Sequence, residues 1–205
     1  MSSGVGIVIV IMVGLAVAGV IRAQAVARLK PVIEAAARKH RAQVHQSFPG
    51  MPQITKLHRG HVLRLTPMTL STASPKGGGE MTCVDFEWLA PGMGEFRVRE
   101  KSEARRNTVP VALMGGDRPF TLGDPGLDER FHATGTNTAA ALRVLGRAGV
   151  FESIESLPRG ADIHIRGGRC SVTVKGYPST VAEVDRLFAL SELLLEASMD
   201  ASGTP

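Results

Sequence analysis

The first 21 residues contain no charged side chain, and residues 4–21 form an unbroken apolar run made mainly of isoleucine, valine and leucine. As an α-helix, this run is about 27 Å long, which is close to the thickness of the hydrocarbon core of a bilayer. A helix that packs on a globular core has a polar face, and this segment lacks one. The sequence therefore predicts a single transmembrane anchor over residues 1–21.

Six basic side chains follow the apolar run within 20 residues, and Glu34 is the one acidic side chain among them. They are Arg22, Arg28, Lys30, Arg38, Lys39 and Arg41. The positive-inside rule places the N-terminus outside and the rest of the chain in the cytoplasm, as a single-pass protein of the inner membrane. These side chains are expected either to lie at the anionic membrane surface or only to set the topology.

Small residues near the apolar run leave a second interpretation of the N-terminus open. Residues 16–18 and 23–25 resemble signal-peptidase sites, although no basic residue precedes the run. Export after cleavage is therefore the alternative localisation. Gly14 and Ala18 are four residues apart, a spacing found at packed helix pairs in membranes, and this favours self-association unless it reflects composition alone.

The rest of the chain is electrically balanced. Removing the six basic residues and Glu34 from the chain totals of 24 basic and 19 acidic residues leaves 18 of each. A protein that binds nucleic acid through phosphate contacts needs an excess of basic side chains. The sequence therefore predicts no nucleic-acid partner, although the net charge of the whole chain is +5.

Apolar residues recur every three or four positions after Arg22, which predicts a basic juxtamembrane helix over residues 22–48. The stripe consists of Val26, Leu29, Ile33, Ala36, His40, Val44 and Phe48. Pro31 has no amide hydrogen to donate, so the helix is expected to kink or restart there. Two prolines and a glycine in residues 49–52 then end it.

Residues 53–199 are predicted to form one globular domain, followed by a disordered tail over residues 200–205. Strand patterns occur at residues 61–70, 81–89 and 95–100, and they predict three consecutive antiparallel strands. In the third strand, the alternation places Phe96 and Val98 inward and the two arginines between and after them outward. Residues 109–114 predict a further short strand.

The second half of the domain carries stronger local signals. Thr136 or Asn137 is expected to cap a helix that ends at Gly149. Residues 161–166 and 169–175 alternate around Gly167-Gly168, which predicts a β-hairpin with a two-residue turn. Thr180 and Glu183 form a capping box at the start of the last helix. The predicted fold is α+β: an anchor and helical stalk, then an antiparallel sheet of about five or six short strands with two packing helices.

The sequence contains no motif that identifies an enzyme. Lys76 and the three glycines after it lack the ending of a phosphate-binding loop. The two cysteines are 87 residues apart in the chain, so they form no local metal pair. His58 and His61 have a spacing that a metal can use, and His40 and His45 lie just upstream, but a zinc site needs two more ligands in a defined place and no cysteine or aspartate is near in sequence. We therefore predict no cofactor and no metal site.

The polar cluster that is best suited to catalysis lies in residues 123–135. Asp124, Asp128 and His132 follow one another at intervals of four residues. Carboxylates beside a histidine can act in general acid–base catalysis if they line one pocket. Asp-Pro-Gly is also an ordinary turn, and aspartate is a common helix cap, so a structural role is the competing interpretation.

The same segment carries a family resemblance. Leu127-Asp128-x-x-Phe131, a helix rich in small residues and leucine, the hairpin and the last helix resemble the C-terminal part of uncharacterised membrane-anchored bacterial proteins. Those proteins have Phe-Asp-x-x-Phe in a domain of unknown function, and the resemblance covers about residues 119–196. It implies a bacterial membrane-associated domain with no assigned activity, in which Leu127 and Phe131 fill the core.

Two functional hypotheses follow. The first is a membrane-tethered, non-enzymatic interaction or scaffold protein, whose partners are the lipid bilayer and either another protein or a second copy of the chain. The second is a membrane-attached hydrolase that uses Asp124, Asp128 and His132. A concave pocket that joins those three side chains would favour the second hypothesis.

Overall fold

In a computed structural model, which describes residues 20, 23–46, 50–70, 79–101 and 118–202, the domain is built on one antiparallel sheet. The strands of the described residues are β1 Gln43–His45, β2 Gln53–His58, β3 His61–Leu70, β4 Gly79–Glu87, β5 Phe96–Glu100, β6 Arg118–Phe120, β7 Phe131–Gly135, β8 Asp162–Arg166 and β9 Arg169–Lys175. The helices are α1 (residues 23–39), α2 Pro125–Arg130, α3 Thr138–Leu145, α4 Val150–Glu155 and α5 Val181–Ser202. A 3₁₀ turn covers Pro91–Met93.

The predicted fold class is wrong in its architecture. The described residues form nine strands in one sheet and five α-helices, instead of five or six strands and two packing helices. Short strands such as β1 and β6 have only three residues each, too few for an alternating pattern to be recognised in sequence. The predicted strand over residues 109–114 lies outside the described residues.

The predicted single-pass localisation in the inner membrane is also wrong. Within the described part of the chain, no helix is both long enough and apolar enough to cross a bilayer. The apolar run over residues 1–21 that led to the prediction lies outside the described residues, apart from Val20. The charge pattern after Arg22 therefore has no described membrane span to orient.

Helix α1 runs through Pro31 and ends at Lys39, well before the predicted end at residue 48. Its last turn forms a Schellman motif: the Arg41 amide donates to the Arg38 carbonyl, and the Ala42 amide to the Ala37 carbonyl. Arg41 occupies the left-handed position of this motif, with φ of 52°. Glycine normally marks such an end in a sequence, and its absence explains why the helix was predicted too long.

The sheet order is β1-β2-β3-β4-β9-β8-β5-β7-β6. The predicted hairpin is confirmed, because β8 and β9 pair across Gly167 and Gly168, which both have positive φ. The predicted three-strand succession is wrong at its last step. This hairpin lies between β4 and β5, so β4 pairs with β9 and β5 pairs with β8 and β7.

One face of the sheet and the helices share a single hydrophobic core. Successive strands contribute side chains that are opposite one another in register, and the largest helical contribution comes from α5. One such row across the sheet consists of Ile54, Leu65, Val84, Val172, Ile163, Val98 and Ala133. Leu127 and Phe131 lie in this core, as expected. Helix α5 continues to Ser202, so the first residues of the predicted disordered tail are helical.

Polar contacts join α1 to α5 at the edge of this core. Lys39 Nζ and His40 Nε2 lie 2.6 Å and 2.7 Å from the carboxylate oxygens of Asp185. The His40 ring also packs at 5.0 Å from the ring of Phe188, which is fully buried. Asp185 therefore helps to fix α1 against the last helix.

Replacing Asp185 by asparagine should flatten the acid dependence of stability. Burial by itself raises the pKa of Asp185, but the hydrogen bonds from Lys39 and His40 outweigh it and hold the pKa below the ordinary 3.8. A lowered pKa gives a contribution that is complete above about pH 5 and is lost as the pH falls below the unfolded value. Urea unfolding between pH 6 and pH 3 should show a smaller loss for Asp185→Asn than for the wild type.

The matched control for this experiment is Glu152→Gln, since Glu152 is exposed on α4 and its side chain has no hydrogen bond or ion pair among the described residues. This control should keep the pH dependence of the wild type. Equal slopes for Asp185→Asn and the wild type would show that the contact between α1 and α5 contributes nothing in solution.

Candidate functional site

The two carboxylates of the predicted catalytic cluster bind backbone amides of their own loop. Asp124 caps α2, because its Oδ1 accepts a hydrogen bond from the Leu127 amide at 2.9 Å. The Asp128 carboxylate accepts hydrogen bonds from the amides of Leu122 at 2.6 Å and Gly123 at 3.1 Å. Both carboxylates therefore stabilise the conformation of the segment between β6 and β7.

His132 lies elsewhere, on β7. Its neighbours Phe131 and Ala133 point into the core, so its own side chain is on the opposite face of the sheet, across from Arg99 of β5. The cavities beside Tyr177 and beside Arg169 are not lined by any member of the cluster. The hydrolase hypothesis therefore stays a prediction that neither cavity supports.

A structural role for Asp128 predicts a loss of stability in Asp128→Asn. The substitution removes the charge and one of the two acceptor oxygens that bind amides of residues 122 and 123, which should lower the free energy of unfolding by about 1–3 kcal/mol. Glu129→Gln is the matched control, because Glu129 is exposed on the same helix and has no described contact. Equal urea midpoints for the two variants would contradict the structural role.

The face of the sheet opposite the core carries most of the ionisable strand residues, and we call it the polar face. It consists of the side chains that alternate with the core residues along β2–β5 and β7–β9. Its charged members are Arg64, Arg97, Arg99, Arg166, Arg169 and Lys175, together with Asp85, Glu87 and Asp162. Six basic and three acidic side chains give this face an excess of positive charge that the domain as a whole lacks.

An ion-pair cluster occupies the middle of the polar face. Arg97 binds Asp162 with two hydrogen bonds, one of them from Nε to Oδ1 at 2.8 Å, and Arg99 Nε lies 3.9 Å from the same carboxylate. His164 lies directly across from Arg97. Partial burial, and then the charge of Arg97, lower the pKa of His164, so its imidazole is neutral at pH 7.

The cysteines lie on opposite faces of the sheet. Cys83 is on the polar face and Cys170 is in the core, so the pair is not positioned to form a disulfide. Burial raises the pKa of both thiols, which keeps them protonated and poorly nucleophilic near neutral pH. Among the described residues, no group of three or more histidine, cysteine, aspartate or glutamate side chains is arranged to hold a metal ion.

A groove lies where the polar face reaches the β2–β3 and β8–β9 turns. It has a volume of about 490 Å³ and includes Arg64, Asp85 and Arg169 among its lining residues. Arg169 Nη2 is 2.6 Å from Asp85 Oδ2. The groove is polar and open, with Val62 as an apolar part of its lining.

Five of the six residues predicted to contact a membrane surface are described, and they are solvent-exposed. Arg28, Lys30, Arg38, Lys39 and Arg41 are all exposed along or just after α1. Lys30 Nζ lies 3.8 Å from Glu34 Oε1, and Lys39 Nζ binds the carboxylate of Asp185. Arg22, Gly14 and Ala18 lie outside the described residues.

Sequence reasoning placed Arg97 and Arg99 on the outward side of their strand but did not identify the polar face. The residues that complete it, Asp162 and His164, lie more than 60 positions further along the chain. Only the pairing of β5 with β8 brings the two strands together. The Arg-x-Arg alternation in β5 was the one local signal of this surface.

No protein-family model and no curated protein matches this sequence. Among solved structures, the chain is similar to the crystal structure of the mycobacterial trehalose monomycolate transport factor A, TtfA. The TM-score is 0.53, the sequence identity is 13%, and the match covers 82% of this chain and 93% of that chain. At this identity, the similarity concerns the fold.

Proposed function

We propose that this chain is a non-enzymatic accessory protein that binds another protein through the polar face. The observation that carries the proposal is the uneven distribution of charge: six of the nine charged strand residues on this face are basic, while the chain beyond residue 41 is neutral. Uneven charge on one face steers and orients a partner of opposite charge.

The state of the catalytic candidates supports a binding role over an enzymatic one. Asp124 and Asp128 are occupied by backbone amides, and the buried thiols are poor nucleophiles. The similarity to a protein named a transport factor leads us to propose that the chain serves a transport process as an accessory component. The fold is shared, and the role is extended to this chain as part of the proposal.

The experiment compares co-purification by the tagged full chain and two double variants with the same change in charge. Arg64→Glu/Arg169→Glu alters the polar face, whereas Arg143→Glu/Arg186→Glu alters exposed positions on α3 and α5. Quantitative mass spectrometry should find a stoichiometric partner with the wild type and the helix variant. Its recovery with the polar-face variant should fall at least tenfold.

The proposal would be contradicted by a partner that both variants retain equally or lose equally. Absence of any stoichiometric partner above the tag background would contradict it as well. Thermal unfolding of both variants checks that they are folded. All four arginines are exposed, and the loss of the exposed ion pair between Arg169 and Asp85 should cost about 1 kcal/mol.

A further inference from the structure

The groove of about 490 Å³ has a geometry that suits an extended peptide segment. Gly60 and Gly168 lie at the two turns that bound it, and a Cβ atom built on either would meet nothing within 4 Å. The groove is therefore open above both turns. Val62 and Arg64 are two residues apart on one strand, so their side chains project from the same face about 7 Å apart.

An exposed apolar pair forms one side of this site. Leu57 of β2 lies directly opposite Val62 of β3, and the two residues are 69% and 44% exposed. The described residues include four exposed large apolar side chains, and two of them make up this pair. Burial of such an exposed apolar pair by a partner is favourable, and arginine is enriched at protein–protein interfaces.

The charged lining of the groove consists of Arg64 and Arg169 with Asp85 and Glu87, so the place for a carboxylate is set by Arg64 and not by the net charge. The Arg64 side chain is exposed and has no ion pair or hydrogen bond among the described residues. Arg169 binds Asp85, yet 67% of its side chain remains exposed. A guanidinium group binds a carboxylate with two parallel hydrogen bonds, so an acidic side chain is the matching ligand.

We propose that this groove binds an extended acidic segment of the partner protein, with an apolar side chain covering Leu57 and Val62 and a carboxylate at Arg64. Alternate side chains of an extended segment point to the same side at a spacing of about 7 Å, which equals the spacing of the apolar and basic subsites. This inference rests on the proposed function, and it adds the chemistry of the partner and the place where it binds.

The probe that tests the inference is a fluorescein-labelled ten-residue peptide, Leu-Ser-Glu-Ser-Leu-Ser-Glu-Ser-Leu-Ser, called the Leu–Glu peptide, in which leucine and glutamate take turns on the same side of an extended chain. Two matched peptides replace glutamate by lysine or leucine by serine. By fluorescence anisotropy, the full chain should bind the Leu–Glu peptide at least tenfold more tightly than either matched peptide. Binding should weaken with added salt, because exposed charges are screened. Amide shifts of the labelled protein should change mainly at residues 57–64 and 166–169.

Variants of the full chain locate the site. Leu57→Ser and Arg64→Glu should each weaken binding of the Leu–Glu peptide at least tenfold. Val44→Ser and Arg143→Glu are the controls, since they remove an exposed apolar side chain and an exposed charge elsewhere. The controls should bind as the wild type does.

Equal binding of the three peptides, no binding, or equal effects of the test and control variants would each overturn the inference. The two proposals can fail separately. A partner whose capture depends on the polar face, combined with failure of the Leu–Glu peptide, would overturn the groove site and leave the accessory role standing. If neither the partner capture nor the peptide binding is observed, the proposed function is overturned as well.

Discussion

Replacing Arg130 by alanine should lower the free energy of unfolding by about 3–5 kcal/mol, because it leaves a buried carboxylate without its cation. Glu100 is 7% exposed at the end of β5, and Arg130 Nε donates to its Oε1 at 3.3 Å. The other guanidinium nitrogens donate to the carbonyls of Glu155 at 2.8 Å and Leu157 at 2.9 Å. One side chain therefore ties α2 to β5 and to the end of α4.

The measurement is urea unfolding at pH 7, with Arg143→Ala as the matched control. Arg143 is exposed on α3 and has no described contact, so its loss should change stability by less than about 0.5 kcal/mol. Combining Arg130→Ala with Glu100→Gln should cost less than the sum of the single variants, since the amide needs no cation. A loss below 1 kcal/mol for Arg130→Ala would contradict this assignment.

Replacing Phe188 by alanine should cost a similar amount, about 3–5 kcal/mol, through the cavity that it creates. Phe188 is fully buried on α5, with the His40 ring at 5.0 Å and Lys56 Nζ at 5.4 Å from its ring centre. The residue therefore packs where α1, β2 and α5 meet. Loss of its ring removes the contacts to His40, directly after α1, and to Lys56 of β2.

Phe188→Leu separates cavity formation from a general defect of this helix. Leucine refills most of the space, so the loss should be well under that of alanine. Unfolding followed by circular dichroism and by the fluorescence of Trp88 should report one shared transition for each variant. A cost below about 1.5 kcal/mol for Phe188→Ala would show that the junction of the three elements is not tightly packed.

Elements with short-range signals could be predicted from the sequence. The Gly167-Gly168 turn set the β8–β9 hairpin, because both residues must adopt positive φ. Asn137 caps α3 by accepting a hydrogen bond from the Ala140 amide, as one of the two predicted caps. At the start of α5, the Thr180 hydroxyl accepts from the Glu183 amide, while the Glu183 carboxylate binds the Ser179 amide.

Long-range pairing could not be predicted, because no local pattern encodes it. Insertion of the β8–β9 hairpin between β4 and β5 requires Val84 to pair with Val172 and Phe96 with Ile165. Both contacts join residues more than 65 positions apart, and many apolar strands would satisfy the same alternation. The sheet order therefore became visible only in the structure.

The candidate site also combines features that local sequence indicates with features that depend on long-range strand pairing. The local cluster of Asp124 and Asp128 was visible in the sequence, but the cap and the amide contacts that occupy these carboxylates were only one of two interpretations. The polar face depends on register across strands that are distant in sequence, so its excess of basic residues was hidden in a neutral total.

Site-specific photo-crosslinking of the full chain in its native cells tests whether a partner protein binds to the polar face. Benzoylphenylalanine replaces Val62 or Ser171 on the polar face, or exposed Ala139 or Ala189 on the helices. We expect one partner protein to be crosslinked from both polar-face positions and from neither helix position. Crosslinking of that partner from the helix positions, with none from positions 62 and 171, would contradict it.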